Sequence, residues 1–350
     1  MSRILITTDY LRPGDEVDRY LTGRGHETTH LPMVGRRDPG ELVAALQAVD
    51  GALIANEPLD ADVLGRVPGL RALVRTGVGF DSVDIEAAAG LGITVSNLPG
   101  VNANAVAEYT LGLLLAAARH LVQSAVGVAA GRWPREDGRE LRGATVGLIG
   151  YGAAAKALVP LVEAVGMSVL CTTNMPISDP AGEREHPNVR FVELPELLAE
   201  SDYVSIHTAL TARSRGLIGA DALALMKPTA ILVNTARGGM VDEVALVDAV
   251  RSGRIAGAAL DVVAAEPLPA ESPLRGVDGI VVYSHMAGQT TEARAASGLR
   301  GAKELLAALA GEPRNCVNAH LIERLRERRH ESVDTPGTTT KTPDTPRTLG

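Results

Sequence analysis

The stretch GATVGLIGYGAAAKALVPLVEAV, residues 143–165, decides the fold of this chain. Residues 144–149 are apolar and β-capable, and so short a run predicts a buried strand of a parallel sheet. A tight turn, Gly150-Tyr151-Gly152, follows, and the composition of residues 153–165 predicts a helix. The order strand, turn, helix with the spacing G-x-G-x-x-A is typical of the dinucleotide-binding turn of a doubly wound sheet.

Each position of this turn has a physical task. Gly150 allows a sharp turn, Gly152 lets the backbone approach a pyrophosphate, and the small Ala155 lets helix and strand pack closely. The first turn of the helix offers free N–H groups and the positive end of its dipole to a phosphate. We therefore expect the phosphates of a dinucleotide to contact Gly150, Tyr151, Gly152, Ala153 and Ala154.

Strand and helix patterns alternate on both sides of this motif, which predicts an α/β fold with two doubly wound parallel-sheet domains. After the turn, strands are predicted at residues 145–149, 168–172, 203–207, 230–235, 256–261 and 279–284. Residues 102–130 predict one long helix that is apolar nearly all round and buried between layers. A helix at 290–310 has no strand partner nearby and is expected to return to the first domain. We predict a substrate (catalytic) domain of residues 1–99 plus 288–330, a dinucleotide-binding domain of residues 100–287, and a disordered Thr/Pro-rich tail at residues 331–350.

Composition describes a soluble globular protein, with 45% hydrophobic and 22% charged residues in a chain of 350. A net charge of −8 argues against nucleic acid or an anionic membrane as the main partner. The N-terminus lacks the pattern of a signal peptide, and the most apolar run, 111–118, is too short to cross a bilayer. The two cysteines are far apart and lack metal-ligand spacing. We expect a cytoplasmic protein without a bound metal.

Chemically useful side chains follow three predicted strands of the second domain, where ligands of open α/β sheets bind. They are Arg237, the acids Asp261 and Glu266, and His285. Arginine grips a planar carboxylate with two parallel N–H bonds, and histidine exchanges protons near neutral pH. Each residue alone has an equally good structural explanation, but together they indicate hydride transfer on a 2-hydroxy or 2-oxo acid.

The sequence resembles the D-isomer-specific 2-hydroxyacid dehydrogenase family, in particular its phosphoglycerate-dehydrogenase-like branch, over about residues 45 to 320. The motifs that carry the resemblance are RTGVGFDSVDIEAA (75–88), NLPGVNANAVAEYTLGLLLAAAR (97–119), VGLIGYG (146–152), ILVNTARGGMVDEVAL (231–246), GAALDVVAAEPL (257–268) and HMAGQT (285–290).

The resemblance implies roles for individual residues. Arg237 binds the substrate carboxylate and carbonyl, Glu266 pairs with the acid/base His285, and the backbone at Val78 and Gly79 helps to hold the carboxylate. Asp261 faces the nicotinamide carboxamide. The resemblance further implies flavodoxin-like and Rossmann-like domains with the cofactor between them, a homodimer joined through the cofactor domain, and further cofactor contacts at Thr173, His207, Thr235 and Ala236.

Departures from the family pattern leave the cofactor and the substrate open. No acid stands at Thr173, where one would bond the ribose hydroxyls and repel a 2′-phosphate, so NAD is expected and NADP stays possible. Arg184 and Arg190 could reach a 2′-phosphate, but we expect both at the solvated surface. Ser284 replaces the usual proline before the catalytic histidine, and residues 207–211 read HTALT instead of His-x-Pro-Leu-Thr.

The substrate is expected to be a small 2-oxo acid. Glu57 stands where relatives specific for phosphoglycerate carry a phosphate-binding arginine, so 3-phosphoglycerate is disfavoured. Glu266 argues against formate, because formate dehydrogenases carry glutamine there. The alternative function is a nucleotide-sensing binding protein, similar to the corepressors that share this fold.

Overall fold

The computed structural model describes residues 1–33, 35–173 and 188–333. Contacts divide the chain into two compact units. Unit 1 comprises Met1–Thr76, Ser82–Asn97 and the chain from Gly301 onward, and unit 2 comprises Gly77–Asp81 and Leu98–Arg300. The domain limits inferred from the sequence stay a prediction.

Unit 1 is built on a five-stranded, wholly parallel sheet in the order β2-β1-β3-β4-β5. Short apolar strands such as GALI, buried at every position, form its centre. Aspartates cap four of its helices by accepting backbone N–H groups of the first turn. The elements are β1 Arg3–Ile6, α1 Glu16–Thr22, β2 Glu27–His30, α2 Pro39–Leu46, β3 Gly51–Ile54, α3 Ala61–Gly65, β4 Ala72–Arg75, α4 Ile85–Gly90 and β5 Thr94–Ser96.

The C-terminal helices complete unit 1. The helix α11, Thr291–Leu309, begins in unit 2, and its last turns lie in unit 1, where Leu305 and Leu309 lie against Gly51. Arg71 donates from Nη2 to the carbonyl of Leu309 at 2.7 Å. The helix α12, Ala319–Val333, packs beside α4. The helix that the sequence left without a strand partner therefore ends on the unit 1 sheet.

Unit 2 contains a seven-stranded parallel sheet in the order β12-β11-β10-β9-β6-β7-β8. The predicted α/β class with two parallel sheets is confirmed. The structure adds one strand to the six predicted, the short β8, which pairs with β7 at the sheet edge. The elements are α5 Ala103–Ala118, α6 Leu121–Ala129, β6 Thr145–Ile149, α7 Ala153–Ala164, β7 Ser168–Thr172, β8 Val189–Phe191, α8 Leu194–Glu200, β9 Tyr203–Ile206, α9 Ala220–Leu225, β10 Ile231–Asn234, α10 Glu243–Arg251, β11 Gly257–Leu260 and β12 Ile280–Val282.

The prediction of one long buried helix over 102–130 is wrong. The structure has two helices, α5 and α6, bent by 66° at a break where His120 adopts the left-handed conformation with φ 52°. Helix α5 packs on α7 and is buried along one face, whereas α6 leaves Leu121, Val126 and Val128 exposed. Apolar composition alone does not distinguish a buried helix from one with an uncovered apolar face.

The described residues include no single helix long and apolar enough to span a membrane; α5 and α6 meet that test only as a bent pair. The expected disordered tail also needs correction, because residues 331–333 belong to α12. Residues 334–350 lie outside the described part of the chain.

Candidate active site

The turn between β6 and α7 has the geometry that the fingerprint predicts. Gly150 adopts φ 101°, and a Cβ there would lie 2.8 Å from the carbonyl oxygen of His207, so glycine is required on both counts. Gly152 precedes α7 without a side-chain cap, and a Cβ at Gly152 would meet no atom within 4 Å. Open space thus lies before an uncapped helix N-terminus, which fits a dinucleotide phosphate.

The other expected cofactor residues lie on the same carboxyl edge of the unit 2 sheet. Tyr151 packs edge-on against Phe191, with ring centroids 5.0 Å apart. His207 follows β9, and its Nε2 lies 2.8 Å from Ser205 Oγ. Burial lowers the pKa of His207 to about 4, so the ring is neutral at physiological pH.

Thr235 and Ala236 follow β10. The hydroxyl of Thr235 lies 3.2 Å from that of Thr110, and the backbone N–H of Ala236 donates to Asn234 Oδ1 at 3.0 Å. These bonds fix the backbone that leads into Arg237. A cofactor contact at Thr235 or Ala236 stays a prediction.

Thr173 directly follows β7 and is half-buried. Of the two arginines considered near this position, Arg190 forms ion pairs with Glu196, at 2.7 Å, and with Glu200. Its guanidinium is thereby engaged on the protein surface. Arg184 lies outside the described residues.

Glu266 and His285 form a direct pair in unit 2. His285 Nδ1 lies 2.8 Å from Glu266 Oε2, and both side chains are partly exposed. Burial on its own would raise the pKa of Glu266, but the hydrogen bond and charge of His285, with the Val263 N–H and Arg237, lower it below its ordinary value. The carboxylate is therefore ionised at neutral pH and accepts the Nδ1 proton, which leaves Nε2 as the reactive nitrogen.

Asp261 holds the loop that carries His285. Its carboxylate accepts the backbone N–H groups of Met286, at 2.8 Å, and Ala287, at 2.9 Å, and its carbonyl accepts that of His285 at 2.8 Å. Burial raises the pKa of Tyr109, and the charge and hydrogen bond of Asp261 raise it further. Asp261 thus anchors the loop; its expected contact with nicotinamide stays a prediction.

Arg237 follows β10 and precedes a 3₁₀ turn, Gly238–Met240. Its Nε donates to Asp81 Oδ1 at 2.9 Å and its Nη1 to the carbonyl of Ala236 at 2.8 Å. Gly79 lies directly under the guanidinium, because a Cβ there would be 1.4 Å from Nη2. Sequence reasoning placed Val78 and Gly79 at this site and missed Asp81, although it lies in the same quoted motif.

The loops after β10 and β11 come together through a second glycine. A Cβ at Gly238 would lie 1.9 Å from the carbonyl carbon of Val263, so this approach requires glycine. The charge of Arg237 consequently reaches Glu266 and helps to lower its pKa. The structure therefore brings together the predicted Arg237, Glu266 and His285. They follow β10, β11 and β12 of the same sheet in which the fingerprint turn follows β6.

A cavity lies next to this cluster without being part of it. This cavity of about 590 Å³ is lined by Tyr283, Ser284 and Met286, which flank His285, but not by His285, Glu266 or Arg237. Within the described residues, no group of three or more His, Cys, Asp and Glu side chains is arranged to hold a metal ion.

Comparison with known proteins identifies the family. Residues 111–287 match the model of the D-isomer specific 2-hydroxyacid dehydrogenase, NAD binding domain. The glyoxylate reductase of Thermofilum pendens is 39% identical over 291 residues, which cover 81% of this chain and 85% of that protein. The D-3-phosphoglycerate dehydrogenase of Mycobacterium leprae is 39% identical over 278 residues, which cover 79% of this chain but only 52% of that protein.

A solved structure shows the same fold. The TT0316 protein from Thermus thermophilus matches with a TM-score of 0.79 and 36% identity, over 90% of this chain and 99% of that one. The resemblance expected from the sequence motifs is confirmed. The chain belongs to the D-isomer specific 2-hydroxyacid dehydrogenase family of NAD(P)-dependent oxidoreductases.

Proposed function

We propose that this protein interconverts a small 2-hydroxy acid and the corresponding 2-oxo acid with NAD or NADP. The observation that carries the proposal is the 2.8 Å pair between His285 Nδ1 and Glu266 Oε2, in the same cluster as Arg237. This reaction requires a cation that binds the substrate carboxylate and, next to it, a group that donates and accepts the proton.

Arg237 binds the substrate carboxylate. Its guanidinium is held by Asp81 and Ala236 and still has N–H groups on Nη1 and Nη2. Parallel N–H bonds to one carboxylate orient the neighbouring C2 as well as binding it. The backbone of Gly79 lies against the same guanidinium and, together with that of Val78, supplies further contacts to the carboxylate.

His285 moves the proton. In reduction, its Nε2 donates a proton to the C2 oxygen, where negative charge develops, and in oxidation the neutral ring takes the proton of the hydroxyl. Glu266 stabilises the charged ring and fixes its orientation through Nδ1. The nicotinamide of the cofactor, when bound, supplies or accepts the hydride. The phosphates of the dinucleotide would be held by Gly150, Tyr151, Gly152, Ala153 and Ala154.

We infer a small substrate without a phosphate group, such as glyoxylate or hydroxypyruvate. Glu57, three residues beyond β3, is buried, and neither of its carboxylate oxygens has a hydrogen-bond partner in the described part of the chain. A carboxyl group at this position, in place of a phosphate-binding arginine, disfavours an anionic phosphate. The named relatives include both a glyoxylate reductase and D-3-phosphoglycerate dehydrogenases, so the substrate test separates two real alternatives.

We also propose that the protein is a cytoplasmic homodimer. The observation that supports an interface on unit 2 is the exposure of three apolar side chains of the short helix α6, Leu121, Val126 and Val128, with Trp133 exposed by 78% shortly after it. Several exposed apolar side chains in one short segment favour a protein interface there. The net charge of −8 favours neither a nucleic acid nor an anionic membrane as a partner.

The test is turnover of a substrate panel, measured by nicotinamide absorbance. Glyoxylate, hydroxypyruvate, pyruvate and 3-phosphohydroxypyruvate are each assayed with NADH and with NADPH. We expect reduction of an unphosphorylated 2-oxo acid. Tight cofactor binding without turnover of any acid would refute the enzyme proposal and favour the alternative, a nucleotide-sensing binding protein.

A further inference from the structure

The guanidinium of Arg237 is fixed on three sides by unit 2. Asp81 Oδ1 accepts from Nε at 2.9 Å, and the carbonyl of Ala236 accepts from Nη1 at 2.8 Å. Gly79 lies on the third side, since a Cβ there would lie 1.4 Å from Nη2 and 2.5 Å from Cζ. Gly79 and Asp81 are two residues apart in one loop, so a single segment supports and orients the guanidinium.

These contacts determine which edge of the arginine is available. A guanidinium has five N–H groups, one on Nε and two on each terminal nitrogen. Asp81 uses the Nε–H and Ala236 uses one N–H of Nη1. Three N–H groups remain, all on Nη1 and Nη2, so a carboxylate can be bound in the bidentate manner only across these two terminal nitrogens.

We propose that Asp81 is a positioning residue for substrate recognition: it blocks the Nε edge of Arg237 and presents the Nη1–Nη2 edge to the substrate carboxylate. This inference rests on the proposed function of Arg237. The competing hypothesis is that Asp81 weakens substrate binding, because a carboxylate on Arg237 competes with the substrate for the same cation. The side chain of Asp81 is 42% exposed and that of Arg237 27%. Solvent therefore weakens the charge attraction between them, whereas their hydrogen bond still sets the orientation of the guanidinium.

The two effects predict opposite results for Asp81→Ala. If Asp81 positions Arg237, the variant has a higher KM for the 2-oxo acid, by at least about 10-fold, with kcat reduced less than KM is raised, because a mobile guanidinium binds the carboxylate in fewer productive orientations. The pH profile is unchanged, since Glu266 and His285 keep their contact. Asp81→Asn recovers most of the affinity, because its amide oxygen still accepts the Nε–H. An unchanged or lower KM in Asp81→Ala would overturn the proposal.

The matched control is Asp62→Ala. Asp62 pairs with Arg66 at 3.2 Å on an exposed helix surface of unit 1, and its loss is expected to leave KM unchanged. NADH affinity, measured by fluorescence titration, is expected to be the same in all variants, which excludes a general loss of folding as the cause of a raised KM.

A second measurement tests Asp81 without turnover. Phenylglyoxal modification of Arg237, followed by peptide mass spectrometry, is expected to be several-fold faster in Asp81→Ala than in the wild type or Asp62→Ala, because the guanidinium loses its Nε partner. Equal rates would overturn the positioning role. If the wild type turns over no 2-oxo acid, the proposed function fails, and this measurement still decides whether Asp81 holds Arg237.

Discussion

Glu266 Oε2 lies 2.8 Å from His285 Nδ1, while the other oxygen, Oε1, lies 3.3 Å from the backbone N–H of Val263. One carboxylate oxygen therefore orients the imidazole and the other is tied to the loop after β11. The acid and the base are consequently placed by two different loops of unit 2, and their separation depends on how these loops pack.

Replacement of His285 by alanine removes the proposed acid/base group. We expect turnover of the preferred 2-oxo acid to fall by at least about 100-fold, the usual contribution of general acid–base catalysis. Cofactor affinity, measured by NADH fluorescence, is expected to be nearly unchanged. His320→Ala, on an exposed surface of α12, is the control and keeps full activity. Normal turnover in His285→Ala would refute the assigned role.

Replacement of Glu266 by glutamine removes the negative charge that stabilises the protonated ring. Because the pKa of Glu266 is lowered, its carboxylate is ionised across the neutral range. We expect the maximal rate of reduction to fall in Glu266→Gln throughout this range, because the amide lacks the charge of the carboxylate. A wild-type rate in steady-state assays between pH 5 and 9 would contradict the pairing.

Thr173→Asp places an acid directly after β7, where one would bond the ribose hydroxyls and repel a 2′-phosphate. We expect the ratio of kcat/KM for NADH to that for NADPH to rise by at least about 10-fold, corresponding to about 1.4 kcal/mol. Ser168→Asp, at the exposed opposite end of the same strand, is the charge-matched control. If both variants keep the wild-type ratio, the ribose site lies elsewhere.

Asp18 links pH to the stability of unit 1. Burial would raise its pKa, but hydrogen bonds from Thr28 and His30, and from the backbone of Gly14, lower it to about 2. A lowered folded-state pKa stabilises the protein above the ordinary value of 3.8, and this contribution disappears as the pH falls toward 2.

Asp18→Asn is therefore expected to lower the free energy of unfolding by about 2 kcal/mol at pH 7 and by much less near pH 2. Urea unfolding followed by circular dichroism at a series of pH values measures the difference. Asp62→Asn, in an exposed ion pair, is expected to change stability by less than about 1 kcal/mol at every pH. A difference between wild type and Asp18→Asn that does not depend on pH would exclude this origin.

The proposed dimer interface is tested by placing a charge on α6. Val126→Glu places a carboxylate at one of the exposed apolar positions of α6 and is expected to shift the protein toward the monomer in light scattering coupled to size-exclusion chromatography. Val244→Glu changes a similarly exposed valine on α10 and is expected to leave the mass unchanged. A monomeric wild type would disprove the dimer.

The strands and the fingerprint turn were predictable because their determinants are local. Runs such as TVGLI at β6 are apolar at nearly every position, and Gly150 is required by a backbone angle that other residues rarely adopt. The break after α5 was not predictable from composition, because neither glycine nor proline stands beside His120. This residue takes the left-handed conformation only in its tertiary context. The edge strand β8 has three residues, as β12 does, but its sequence VRF has an arginine at its centre and so lacks the continuous apolar run of β12.

The residues of the candidate site that directly follow a strand were predictable from the sequence. Those that depend on a contact with a residue distant in sequence were not. Arg237, Glu266 and His285 each follow a strand of the same sheet. Asp81 is 156 residues away from Arg237 in sequence, and no local pattern joins the two. Likewise, Asp261 follows β11 as predicted, but its bonds to Met286 and Ala287 become visible only in the folded chain.

His285 takes up φ 58°, a backbone angle that glycine accepts without cost and that other residues seldom adopt. The three hydrogen bonds that Asp261 accepts hold the loop in this conformation even though His285 carries a side chain. Selection for heat resistance alone would thus favour glycine at position 285, which would remove the proposed acid/base group. Stabilised variants of this protein should be sought elsewhere in the chain, with position 285 held constant.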